Sequence, residues 1–184
     1  MDENDNMLIG YASRTGTKAN LDALRAQGWR LLVSATGAHR TEGFPYALDN
    51  GAWSAFQAGE PFDVAKFERL ADDLGTAADW LVAPDIVAEG TSSLAFTRKW
   101  LPWCLDRCSR VLVAVQDGMT PADVAPLLDG RVGVAIGGST GWKEEQLGRH
   151  VWRASWLHCL RVNTSRRIAM CAAAGCDSFD GTSA

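Results

Sequence analysis

The stretch Arg110–Ser139 reads RVLVAVQDGMTPADVAPLLDGRVGVAIGGS, and it decides how the rest of the chain is read. It opens on an apolar run, Arg110–Gln116, that breaks into Gln116-Asp117-Gly118. Thr120-Pro121 follows, with proline at a first helical position, where its missing N–H would have no helical partner anyway. A second apolar run, Val132–Ile136, ends in Gly137-Gly138-Ser139. Strand, polar end, helix and strand in alternation make the unit of a parallel sheet.

The same unit extends in both directions. Candidate strands are Leu8–Ala12, Arg30–Ser34, Tyr46–Asp49, Trp80–Pro84, Arg110–Gln116, Val132–Ile136, Trp156–Val162 and Asp177–Phe179, eight in all. Between them, Asp63–Leu74 places Val64, Phe67, Leu70, Ala71 and Leu74 at helical spacing, with Asp63 as N-cap. A second helix is expected over Thr91–Cys108 and a third from Thr120. Eight repeats point to closure into a compact (β/α)₈ TIM-type barrel, although 184 residues fall below the usual lower bound of about 200. Counting strands leaves an open sheet as the alternative.

Composition suits one domain with a sizeable core: 47% of residues are hydrophobic and 22% charged. The expected organisation is a short arm, residues 1–7, followed by a single barrel domain, 8–184. The arm is acidic and polar, unlike a signal or transit peptide. No apolar run approaches the roughly 20 residues that span a bilayer, so no membrane is expected. Five cysteines, an odd number without a close CxxC pair, read as reduced thiols and suggest a cytoplasmic protein. Cys104 and Cys108 are four apart on an expected helix, but two thiols fall short of a zinc site. They read as core packing, and no metal or other cofactor is expected.

The net charge of −4 argues mildly against a polyanionic partner, but its distribution is uneven. Between Gln146 and Cys176 there is no acid, while Arg149, Arg153, Arg161, Arg166 and Arg167 all fall there. Such a stretch is either an anion site or a solvated helix face.

Polar residues gather at the strand ends: Asp49-Asn50-Gly51, Pro84-Asp85, Gln116-Asp117-Gly118, Gly137-Gly138-Ser139, Arg161–Thr164 and Asp180-Gly181. In parallel barrels the C-terminal rim carries the active site. Turn and cap chemistry explains Gly118 and Thr164 equally well, but explains Gln116 poorly. Asp49, Asp85 and Asp180 would converge at this rim, a set able to bind metal, hydrolyse a glycoside or act in covalent exchange. Asp85 and Gln116 offer donors and acceptors for the edge of a guanine-like base. Gly137 and Gly138 let backbone approach a flat ligand, and Trp53 or Trp142 could stack on it. Neither His39 nor His150 sits at a strand end, which disfavours the metal.

These motifs resemble, in order, those of the tRNA-guanine transglycosylase superfamily. Asp49-Asn50-Gly51-Ala52-Trp53 resembles its Asp-Ser-Gly-Gly-Phe motif, and Val115–Gly118 its Val-Gln-Gly-Gly segment. Ala135–Gly138 resembles its Gly-Gly-Leu loop, and Asp177–Asp180 its Asp-Met-Phe-Asp motif, whose last Asp is the nucleophile. The tail, Arg161–Arg167 with Ser178–Ser183, is more similar to the short phage-associated relatives that install 7-deazaguanines in DNA. The resemblance implies that Asp180 attacks C1′ and displaces guanine, and that Asp49 is general base for the incoming base. It implies that Asp85, Gln116, Gly137, Gly138, Asn50 and Trp53 form the base pocket. Arg161, Asn163, Arg166 and Arg167 would then hold DNA, with RNA the alternative, and a phage-encoded chain would act in the host cytoplasm.

The departures shape what is expected. The chain ends at Ala184, without the cysteine-and-histidine zinc module of the tRNA enzymes and without a final helix. Strand 8 would be left less covered, so a homo-oligomer or partner is expected to shield it. Ser54 stands where the family usually has Gln. Rival readings are the same exchange on tRNA or a nucleoside, a purine N-glycosylase, and a non-catalytic nucleic-acid-binding barrel.

Overall fold

The computed structural model describes residues 7–13 and 17–181. The expected N-terminal arm lies outside these except for Met7, which is exposed. Eight parallel strands close in chain order: β1 (Ile9–Ser13), β2 (Arg30–Ser34), β3 (Tyr46–Asp49), β4 (Leu81–Val82), β5 (Val111–Val115), β6 (Val132–Ile136), β7 (Leu157–Cys159) and β8 (Ser178–Gly181). β8 pairs with β1 through Tyr11↔Asp180, which removes both sheet edges. The helices are α1 (Lys18–Ala26), α2 (Ala52–Ala58), α3 (Val64–Leu74), α4 (Ser92–Leu105), α5 (Pro121–Val124), α6 (Thr140–Arg149) and α7 (Ser165–Ala173). No helix joins β2 to β3, and this economy helps the barrel close in so short a chain.

Period-two alternation sorts the strand residues into two cores. Tyr11, Ala47, Trp80, Val82, Leu112, Ala114 and Ala135 come from five different strands or their edges and cluster together, so they fill the lumen. Their sequence neighbours Leu48, Leu81, Val111, Val113, Val115 and Val134 pack outward under the helices with Phe67 and Leu70 of α3. Burial on both faces explains why β5 and β6 read as unbroken apolar runs. Gly133 is small by necessity, since a Cβ there would lie 2.5 Å from the Trp156 carbonyl oxygen and 2.7 Å from Leu112. α3 starts as expected, with Asp63 accepting from the Lys66 N–H at 3.0 Å.

Several boundaries differ from the sequence reading, each for a local reason. β4 is shorter than Trp80–Pro84: the ladder runs on through the Ala83 N–H to the Leu112 carbonyl, and Pro84 then has no N–H to donate. β7 stops well before Val162 because Arg161 turns left-handed, with φ of 57°. β8 begins and ends later than Asp177–Phe179, so Asp180 lies within a strand. α4 ends at Leu105, which leaves Cys108 beyond the helix rather than on a shared face with Cys104. Both thiols are buried, and burial pushes Cys104 up to about 12. β8 is also not left bare: every residue of it is buried, and Phe179 packs edge-on against Trp29 at 5.4 Å. That covering removes the reason for expecting an oligomer to shield it. Among the described residues, no helix is long and apolar enough to cross a membrane.

Candidate active site

The inward-facing rows of the barrel end, at the C-terminal rim, in Ser13, Ser34, Asp49, Gln116, Gly137 and Asp180. Asp49, the last residue of β3, accepts from the Ser34 hydroxyl at 3.0 Å and the Gly51 N–H at 3.2 Å. Burial, aided by the nearby carboxylates of Asp180 and Asp85, raises its pKa to about 6. Asp85, just past β4, is also raised, chiefly by burial; Asn50 and Arg161 pull it back. Three acids therefore crowd one rim, and among the described residues no group of three or more His, Cys, Asp or Glu is arranged to hold a metal ion.

Two expected base-contacting side chains are already engaged. Asn50 donates to the Ala83 carbonyl and to Asp85 Oδ1, both at 2.8 Å, and accepts from the Ala52 N–H at 2.8 Å. With both amide hydrogens used, it aims Asp85 instead of reading a ligand. Gln116 accepts from the Ala88 N–H at 2.7 Å and donates to the Ile86 carbonyl at 2.9 Å, so it clamps the loop after β4. A primary amide has two hydrogens and two lone pairs, which leaves Gln116 one of each for a ligand. Gly138, at φ of 73°, is required by Asp117: a Cβ would sit 2.4 Å from Asp117 Oδ2, which accepts from the Ser139 N–H at the start of α6.

Two cavities meet at this rim. The smaller, about 50 Å³, is lined by Asp49, Asn50, Trp53, Asp85, Gln116, Gly137 and Arg161 among others. The larger, about 540 Å³, is lined by Ser13, Ser34, Asp49, Trp53, Ser54, Lys143, Arg161, Asn163, Arg167 and Asp180 among others. Asp49, Trp53, Leu160 and Arg161 are common to both. Trp142 lines neither cavity; it packs against Trp152 at 6.3 Å.

No protein-family model matches the chain, and no curated protein matches it in sequence.

Arg161, expected on the nucleic-acid face, is turned into the site. Its guanidinium lies 3.8 Å over the Trp53 ring and donates to the Gly138 carbonyl at 2.7 Å. Its backbone N–H donates to Asp180 Oδ1 at 3.0 Å. Arg166 and Arg167 are both paired with Glu144 of α6, at 3.0 and 2.8 Å, and Arg149 with Glu145 at 2.7 Å. Three of the five arginines in the stretch without acids are thus paired with two carboxylates of α6. Thr164 caps α7, accepting from the Arg167 N–H at 3.3 Å.

Two side chains of the site escaped the sequence reading. Lys143 is buried; its ammonium donates to the carbonyls of Leu160 at 2.5 Å and Arg161 at 3.2 Å, which fixes the turn that carries Arg161. Burial lowers its pKa. His158, on β7, is fully buried and its Nε2 lies 3.0 Å from Asp180 Oδ1. The available signal was the register of the alternating rows: His158 faces inward, as do Ser178 and Asp180 on the next strand.

Proposed function

We propose that this protein exchanges a guanine in a nucleic acid for a 7-deazaguanine through a covalent aspartyl–sugar intermediate. The observation that carries the reading is the division of the three carboxylates between two joined cavities. Asp85 and Gln116 face the small one, Asp180 the large one, and Asp49 borders both. The base would enter the small cavity and its sugar would lie against Asp180.

In the first half-reaction the Asp180 carboxylate forms a bond to C1′ while the C1′–N9 bond breaks. The electron pair leaves with guanine, whose N9 takes the proton of Asp49. In the second, Asp49 takes a proton from the incoming base, that nitrogen bonds C1′, and the ester to Asp180 breaks. One hard displacement becomes two easier ones. A carboxyl with a pKa of about 6 suits both directions of this proton traffic. A target in a duplex must first be extruded from the stack.

Cavity size sets one requirement. About 50 Å³ is well below the roughly 300 Å³ of an ordinary ligand pocket, so the Arg161 guanidinium has to leave Trp53 when a base enters. The vacated place is a flat indole face beside a carbonyl acceptor, which suits a planar base bearing an N–H. DNA is the first polymer to test because the tail is similar to that of the DNA-modifying relatives.

The test is to incubate the protein with guanine-labelled DNA or RNA and a 7-deazaguanine such as preQ₀, following release and incorporation. Release coupled to incorporation is expected. Release without incorporation makes the protein an N-glycosylase, and binding with neither makes it a non-catalytic barrel.

A further inference from the structure

β7 and β8 lie side by side, and their inward rows hold Trp156, His158, Ser178 and Asp180. Trp156 Nε1 lies 2.9 Å from Ser178 Oγ, Ser178 Oγ 2.8 Å from His158 Nδ1, and His158 Nε2 3.0 Å from Asp180 Oδ1. An indole N–H can only donate, so Ser178 Oγ accepts from Trp156. A hydroxyl has a single hydrogen, and the nearest ring nitrogen, Nδ1, receives it. The neutral ring therefore carries its proton on Nε2 and donates it to Asp180. The opposite tautomer would set a bare nitrogen against a carboxylate oxygen, two acceptors at 3.0 Å.

The Arg161 backbone N–H donates to the same oxygen, Oδ1, at 3.0 Å. Among the described residues Oδ2 receives no hydrogen bond, while Asp180 lines the larger cavity. The His158 ring is wholly enclosed, with Trp80 at 4.4 Å and Tyr11 at 6.0 Å between ring centroids, so it cannot touch a substrate.

We propose that His158 is a positioning residue: held in its Nε2–H form by Ser178 and Trp156, it anchors Asp180 by Oδ1 and leaves Oδ2 as the oxygen that attacks C1′. The proposal rests on Asp180 being the nucleophile. As Oδ2 bonds C1′ and the C1′–N9 pair departs with the base, Oδ1 becomes the ester carbonyl and keeps its bond from His158. No proton moves through the ring. A nucleophile held by one oxygen starts close to its reacting geometry, which lowers the orientational part of the barrel's work.

Two measurements decide it. The ¹⁵N spectrum of the histidine rings in the unliganded protein, with His158 assigned by its loss in His158→Gln, should show a protonated Nε2 and a bare Nδ1. Ser178→Ala should mix the tautomers. In turnover, His158→Leu should lower kcat about a hundredfold with KM nearly unchanged, and His158→Gln, which keeps an N–H at similar reach, should recover at least about tenfold. A folded His158→Leu protein with undiminished kcat overturns the proposal. If that variant does not fold, Ser178→Ala and His158→Gln carry the kinetic arm, and wild-type kcat in Ser178→Ala overturns it. An active wild type with the proton on Nδ1 overturns the proposal, since a bare Nε2 cannot donate to Asp180. A wild type without exchange activity overturns the proposed function and the attacking role of Oδ2 with it, whatever the ring spectrum reports.

Discussion

The rim above β3, β4 and β8 and the outer face of α6 and α7 treat charge in opposite ways. At the rim, Asp49 and Asp85 are raised chiefly by burial, and the nearby carboxylates of Asp180 and Asp85 raise Asp49 further. On the outer face three arginines have an acid: Glu144 takes Arg166 and Arg167, and Glu145 takes Arg149. Repulsion between buried carboxylates opposes folding, whereas exposed ion pairs are nearly neutral to it. Three carboxylates crowded around one guanidinium in a cleft are a pointer to chemistry; ion pairs spread over a surface are what solubility alone would produce.

The contrast can be broken most directly at Asp180. Asp180→Asn keeps the shape but removes the nucleophile, and should cut exchange by at least about a thousandfold while the protein stays folded and still binds nucleic acid. Undiminished turnover in the purified variant would move the chemistry elsewhere on the rim.

Asp49→Asn should reveal the cost of the crowded rim. The folded pKa, about 6, is raised above the ordinary 3.8, so Asp49 favours the folded state below pH 4 and loses that advantage as pH rises through 6. The variant should therefore melt higher than wild type at pH 8, by at most about 3 kcal/mol of stability, and show no gain at pH 4. Turnover in the wild type should peak near pH 6, because the first half-reaction needs Asp49 protonated and the second needs it ionised, a profile the variant lacks. A variant that melts lower at pH 8 would mean the carboxylate is stabilised where it stands.

A smaller effect is expected on the arginine face. Glu144→Gln releases two guanidiniums and should tighten DNA binding and steepen its salt dependence. Arg166→Ala with Arg167→Ala should act oppositely, flattening the salt slope by about one unit per lost phosphate contact. If neither change alters the slope, these arginines serve α6–α7 packing alone. Smallest of all, Arg149→Ala removes an exposed pair with Glu145 and should leave the melting temperature unchanged; a clear drop would show that this face contributes more than solubility.

How much of this could be read in advance depends on what each residue answers to. Val111–Val115 and Val132–Ile136 announced strands because both their faces are buried. Asp63 announced a helix start because a cap acts over three residues. The positions of Asp49, Asp85 and Gln116 at the rim followed from strand ends. Their bonding did not: Asn50 spends its amide on Ala83 and Asp85, and Gln116 spends part of its own on residues 86 and 88, partners about 30 positions away.

The sequence by itself determined the alternation of strand and helix, a parallel sheet and the placing of acids at one end, while closure of that sheet into a barrel is seen in the structure. Those features arise from local propensity and from a burial pattern repeated along the chain. Only the tertiary structure decided that His158 meets Asp180, that Arg161 turns left-handed onto Trp53, and that Glu144 occupies Arg166 and Arg167. Each of these depends on barrel closure and helix docking, which join residues across a register or a helix pair that no local pattern encodes.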